Sequence, residues 1–349
     1  MLPRRRLLRA VGASGVALTA GCASRFTGSG WSQSLTGEVV TPIASGAETF
    51  FVGTTTGQLS AVRRDGSLAW QTRRTQSATS TAPVHDATRG QVYVGYADGA
   101  VRAFDAASGR HRWTVRSENR AVAAPVVGDD SVFVFEDEGV VALDPKTGDR
   151  RWRERVSGRV AAASAGAGST IFTADWNGVV RAVDTDVRTE QWETRIERHT
   201  RAPPIPDGDT VFVTGTGAFL HALDTQSGDE RWERRPGPGG TSPVATDDEA
   251  VITATTDGTA AAFDASDGTQ QWSFDAGTTL TGQPVTTDGA VFLTSMTGSI
   301  YAVERATGQR RTTIDIDGVL RSAPIVDDGS LYAVTRDGTF LRRSVPTLT

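Results

Sequence analysis

Beyond residue 40 the chain is built from short apolar runs separated by polar turns. Runs such as Ser131-Val132-Phe133-Val134-Phe135 and Ala290-Val291-Phe292-Leu293-Thr294 place apolar side chains at successive rather than alternate positions. The strands they predict are therefore buried on both faces. The turns carry a polar residue and then glycine, most plainly Asn177-Gly178, Asp98-Gly99, Asp257-Gly258 and Asp337-Gly338, with Gly139 and Gly298 in the same place. Such turns predict hairpins, because glycine accepts positive φ at no steric cost. Strands come in fours: the first follows Pro, the second ends at the glycine turn, the third ends at Ala-x-Asp and the fourth carries Trp. Pro42, Pro83, Pro125, Pro204, Pro243, Pro284 and Pro324 mark the starts, and Ser164 takes the place in the fourth unit.

A frame reading A-L-D-P-K-T-G-D-R-R-W from Ala142 to Trp152 joins the third strand to the fourth. It returns from Ala103 to Trp113, Ala182 to Trp192, Ala222 to Trp232 and Ala262 to Trp272. The docking positions form a ladder of Trp31, Trp70, Trp113, Trp152, Trp192, Trp232 and Trp272, then Thr312, with a period of about forty residues. A fixed period of that length means one closed array, although 349 residues would otherwise suggest two or three domains. Units stacked face to face supply the two-sided burial. The last unit stops after Leu341-Arg342-Arg343-Ser344 without a fourth strand, while Trp31 stands ahead of the first unit. The expected fold is all-β: an eight-bladed β-propeller of four-stranded antiparallel blades over residues 31–349, its last blade closed by an N-terminal strand near Trp31. Three frames depart from the rule. Arg188 replaces the turn glycine, the copy from Ala61 to Trp70 is one residue short, and Thr312 replaces Trp.

The Ala-x-Asp-x-x-x-Gly-x-x-x-Trp frame resembles the tryptophan-docking motif of the pyrroloquinoline-quinone-like propeller repeats. That family includes a non-catalytic, BamB-like outer-membrane assembly lipoprotein as well as the quinoprotein alcohol dehydrogenases. The resemblance covers the chain from about residue 31 onward and implies eight blades, with the docking Trp packed against the motif Ala and the neighbouring blade. It implies fold strongly and activity weakly.

The N-terminal segment does not belong to the array. Arg4-Arg5-Arg6-Leu7-Leu8-Arg9 precedes a weakly apolar run from Ala10 to Ala20, followed by Gly21-Cys22. Basic residues, a short apolar run and small residues predict an export signal over 1–21, with 22–30 as a polar tether. Arg4 and Arg5 resemble the pair of a twin-arginine signal. Leu18-Thr19-Ala20-Gly21-Cys22 resembles a lipobox, with Leu one place early, and implies lipidation at Cys22 and attachment to the extracytoplasmic face of the cell membrane. Cys22 is the only cysteine, so no intrachain disulfide is possible. The chain carries a formal charge of −5 and becomes more acidic without the leading arginines, which excludes a general nucleic-acid binder. Lys146 is the only lysine beside many arginines, a balance that resembles haloarchaeal proteins.

Candidate chemistry is thin. Asp105, Asp144, Asp184, Asp224 and Asp264 recur with the blades and are expected to organise the turn before Trp. His85, His111, His199 and His221 show no metal-ligand spacing and read as solvated or locally hydrogen-bonded. No catalytic, cofactor-binding or metal-binding residue is assigned. The dehydrogenase alternative would need pyrroloquinoline quinone with Ca²⁺ at the centre, and a second alternative is a carbohydrate or small ligand in the central funnel. The main expectation is a monomeric, non-catalytic scaffold for an unidentified envelope or surface protein. Its binding face would be formed by loops entering the blades, with Arg120, Arg159, Arg201 and Arg321, and by hairpin tips with Tyr96, Trp176 and Arg336. Trp, Tyr and Arg dominate interaction hot spots.

Overall fold

The expected strands form and pair as eight four-stranded antiparallel sheets. The structure is a computed structural model that describes residues 30–116, 123–136, 139–156, 158, 160–165, 168–196, 199–200, 202–240, 242–247 and 249–345. The proposed signal at 1–21 and most of the tether lie outside them. Blades one to seven span 44–71, 84–116, 126–154, 160–195, 205–234, 245–275 and 280–315. Each runs in chain order from an inner to an outer strand, and inner strands of neighbouring blades meet around the axis.

Blade eight is assembled from both ends of the chain. Ile325–Asp327, Ser330–Val334 and Thr339–Ser344 supply its first three strands, and Ser32–Ser34 supplies the outer one. Ser32 pairs with Leu341, Gln33 with Phe340 and Ser34 with Thr339. The expected closure near Trp31 is therefore the observed one.

Burial on both faces follows from stacking. Phe212, Leu220, Ala222 and Trp232 of blade five pack with Val244, Val251, Ala261 and Phe263 of blade six in a single core cluster. The indoles extend the contact outward. Trp113 of blade three's predecessor lies against Gly148 of blade three, where an added Cβ would fall 2.7 Å from the ring, and its indole N–H donates to the Pro145 carbonyl at 2.8 Å. Gly148 also holds a φ of 77°, so both the space and the backbone favour glycine. Trp31, Trp70, Trp192, Trp232 and Trp272 dock the same way on Gly66, Gly109, Gly228, Gly268 and Gly308 of the following blade.

Thr312 now has a physical reason. The indole of one blade rests on the turn between the third and outer strands of the next. Blade seven faces blade eight, whose third and outer strands come from opposite chain ends and share no such turn. A Trp at 312 would have no clasp to dock on, and Thr312 simply pairs with Ala302.

Each frame also contains a β-bulge. Ala142 pairs with Trp152 but Leu143 with Arg150, so Arg151 is an extra residue on the outer strand. The register shifts at the same place in the other blades up to blade seven. The bulged side chain turns back to the frame carboxylate: Arg151 meets Asp144 at 2.8 Å, Arg231 meets Asp224 at 2.6 Å and Arg311 meets Glu304 at 2.8 Å. Asp144 accepts further bonds from the backbone N–H groups of Lys146 and Thr147 at 2.8 and 3.2 Å. The Arg151 guanidinium, then these N–H groups, hold its carboxyl down to about 2. The motif aspartates thus organise the turn, as the frame predicts.

Candidate functional site

The loops entering each blade and the hairpins between second and third strands share one face of the ring. The blade-four hairpin, between Thr170–Asp175 and Val179–Asp184, carries Trp176 at its tip. Asp175 fixes that tip by accepting from the backbone N–H groups of Asn177 at 2.8 Å and Val179 at 2.9 Å, and from Arg181 at 3.2 Å. The Trp176 carbonyl accepts from the His199 ring, which ties the tip to the next entry loop. Trp176 itself is half-buried. Asp175 pairs with Arg181 within the hairpin, and Glu136 pairs with Arg153 at 2.9 Å.

Blade eight carries two more of the sequence candidates. Arg321 is exposed in its entry loop, and Arg336 is exposed at its hairpin, 3.2 Å from Glu38. The two sit on one blade, whereas Trp176 lies four blades away across the ring. The candidates therefore share a face but do not form one cluster. Arg120, Arg159 and Arg201 lie outside the described residues.

Tyr96 is a correction. The sequence reading puts it on the binding face, but it is 1% exposed, with the Arg102 guanidinium 3.8 Å from its ring centroid. It bridges to Thr79 and packs with Phe51, Leu59 and Val94. Burial, offset by Arg102, pushes its phenol pKa up. The residue opens the hairpin but remains under it.

Sequence reasoning missed three exposed apolar residues on the loops that carry, or are bonded to, Arg321 and Arg336. Met296 of the blade-seven hairpin, Val319 of the blade-eight entry loop and Val40 before blade one are all exposed. Backbone bonds link these loops in series: Ile316 N–H to Gly298, Arg336 N–H to Val319 and Val39 N–H to Arg336, at 2.9, 2.8 and 2.9 Å. Single apolar residues in loops carry no period, so no sequence pattern marks them.

Among the histidines, His111 and His221 are locally hydrogen-bonded, in line with the sequence reading. His111 bonds Thr114 at 2.7 Å, and the His85 ring lies tilted against Phe51. His221 is buried, with its Nδ1 hydrogen-bonded to Glu230 at 2.8 Å and Glu233 close by. Among the described residues this is the one group of three or more His, Cys, Asp or Glu side chains close enough to share an ion. It lies on the third and outer strands of blade five, away from the axis. Among the described residues no group of three or more His, Cys, Asp or Glu side chains lies at the centre of the ring.

The family model described as outer membrane protein assembly factor BamB matches residues 22–174, 176–283 and 274–347. The chain belongs to the BamB family. Among solved structures, BamB from Moraxella catarrhalis is 21% identical with a TM-score of 0.77, covering 90% of this chain and 98% of that one. The computationally designed Ika8 protein is 15% identical with a TM-score of 0.80 over 90% and 98%. Quinohemoprotein alcohol dehydrogenase from Comamonas testosteroni is 15% identical with a TM-score of 0.74 over 90% and 76%. At these identities the likeness shows the fold alone. No curated protein sequence matches this BamB-family chain.

Proposed function

We propose that this BamB-family propeller is an exported, membrane-anchored scaffold that binds an envelope or surface protein through its entry-loop face. The observation that carries the reading is the exposure of Val40, Met296 and Val319 on loops bonded in series with those of Arg321 and Arg336. Exposed apolar side chains and arginines, on loops stapled together by backbone bonds, match the composition of an interface core and need little ordering on binding. Trp176 across the ring would be a second anchor. The face is the part of the ring where sequence can vary without disturbing the blade frames. The family's description as an assembly factor supports the same role.

Anchoring rests on the leading sequence. Arg4-Arg5 would direct export by the twin-arginine route, which carries folded proteins, and Cys22 would take the lipid. A single acyl chain binds membranes only marginally, so a stable anchor needs two chains. The arginine-rich composition fits a haloarchaeal source.

The test is in-cell crosslinking followed by purification, comparing wild type with a Val319→Asp, Arg321→Glu, Arg336→Glu variant whose melting curve is unchanged. Loss of a crosslinked partner supports the reading, and an unaltered partner set rejects it. A second arm reverses Arg120, Arg159 and Arg201. Separately, Cys22→Ser should move the protein out of the membrane fraction. Retention there would dismiss the lipid anchor while leaving the binding face intact.

A further inference from the structure

The outer half of blade five holds a group that the propeller architecture does not require. His221 lies on the third strand, Phe219–Asp224, and Glu230 and Glu233 on the outer strand, Glu230–Arg234. Two residues three apart on a regular strand point to opposite faces. Here Leu223 pairs with Glu230, Ala222 with Trp232 and His221 with Glu233, so Arg231 is bulged out. The bulge returns both glutamates to the face of His221. The imidazole is 2% exposed, and its Nδ1 lies 2.8 Å from Glu230 Oε2 and 3.5 Å from Glu233 Oε2. The carboxylates are 44% and 42% exposed, so an ion can reach them from solvent.

Blade four shows what this pair of positions does. Arg181 pairs with Glu193 as His221 pairs with Glu233, and Glu190 stands where Glu230 stands. Arg181 Nε lies 3.0 Å from Glu193 and 3.4 Å from Glu190, so the two carboxylates grip a cation from the same frame position. Guanidinium charge is permanent. Blade five substitutes an imidazole, which when neutral presents a nitrogen lone pair instead of a charge. The glutamate pair then lacks the permanent cation that its counterpart in blade four has.

We propose that His221, Glu230 and Glu233 bind a divalent transition ion of the zinc class, with its fourth position open to solvent. One imidazole nitrogen and two carboxylate oxygens are a donor set suited to such an ion. Zinc bonds of about 2.0–2.2 Å in a tetrahedron put neighbouring ligand atoms about 3.3 Å apart. The observed separations of 2.8 and 3.5 Å lie on either side of that value. The ion displaces the proton shared by Nδ1 and Glu230, which passes to solvent. Calcium and magnesium take six or more oxygen ligands and gain nothing from the imidazole. The ion would cross-link the third and outer strands of blade five on the flank of the ring. The inference is independent of the binding-face reading.

Calorimetric titration of the untagged full chain with Zn²⁺, and with Co²⁺ followed by visible absorption, tests the site. Wild type should take up one ion per chain, and Zn²⁺ should raise its melting temperature. His221→Arg copies the blade-four arrangement, so it should fold with an unchanged melting temperature in chelator and lose the uptake. Glu230→Gln and Glu233→Gln should each weaken uptake, while Cys22→Ser should retain it. If His221→Arg fails to fold, His221→Gln is read the same way. Equal Zn²⁺ uptake by wild type and the His221 variant overturns the proposal, and so does equally strong uptake of Ca²⁺ or Mg²⁺.

Discussion

The guanidinium of Arg188 stands 5.8 Å from the centroid of the Trp152 ring, where the other described clasps place glycine beneath the indole. Arg188 keeps the left-handed backbone of those glycines, with φ at 61°. A non-glycine residue held there costs on the order of 1–3 kcal/mol. A cation–π contact offsets about 0.5–1 kcal/mol of that at a partly exposed site. Arg188→Ala keeps the strained backbone and loses the contact, whereas Arg188→Gly relieves the backbone. Calorimetry should therefore rank the alanine variant below the glycine variant. The opposite order would mean that the left-handed φ is not a source of strain at this clasp.

The indoles should differ in weight according to burial. Trp113 is 6% exposed and bonded to Pro145, whereas Trp152 is half-buried. Trp113→Ala should cost about 3–5 kcal/mol, in the range for truncating a buried Trp. Trp152→Ala should cost less than that. Urea denaturation of both variants measures the difference, and an unchanged midpoint for Trp152→Ala would remove its docking role.

Acid stability should follow the frame aspartates. The folded pKa of Asp144 is about 2 against an ordinary value of 3.8. Asp224 is held at about 2 by Arg231 and the N–H groups of Ser227 and Gln226. A depressed carboxylate contributes stability above its unfolded pKa and loses it as pH falls through the folded value. Stability should therefore decline between about pH 4 and pH 2. Asp144→Asn should be less stable than wild type at pH 7, and the gap should close near pH 2. A gap that persists at pH 2 would show that charge is not the source.

Closure makes a fourth prediction. Trp31 donates to the Arg64 carbonyl at 3.0 Å and covers Gly66 of blade one, while Ser32–Ser34 pairs with blade eight. Removing residues 31–34 would leave Thr339–Ser344 as an open edge, which is a template for pairing with another chain. Size-exclusion chromatography should show self-association of the truncated protein. A truncated chain that elutes as wild type does would mean the edge is protected by other means.

The fold was legible because its signal is periodic. Seven Trp positions, the Ala-x-Asp frame and the Gly turns recur at one spacing, and Arg188 and Thr312 could be seen as departures before their surroundings were known. Sites were less legible because they depend on where a repeat is interrupted locally. Tyr96 occupies a hairpin position that reads as exposed, but whether the first residue of a tip folds inward depends on Arg102 lying over it. His221, Glu230 and Glu233 show no ligand spacing because the Arg231 bulge, which brings the glutamates to one face, is a feature of strand pairing. Val40, Met296 and Val319 lie on loops that are joined only through backbone bonds formed in the folded ring.

The pairing of Ser32 with Leu341 also orders events during synthesis. A ribosome releases the closing strand well before its partner, so the earlier blades can stack while the strand that completes the circle waits without a mate. Any chain interrupted before Thr339–Ser344 is left with two unfinished edges, which makes the closed circle a check that blade eight has been made.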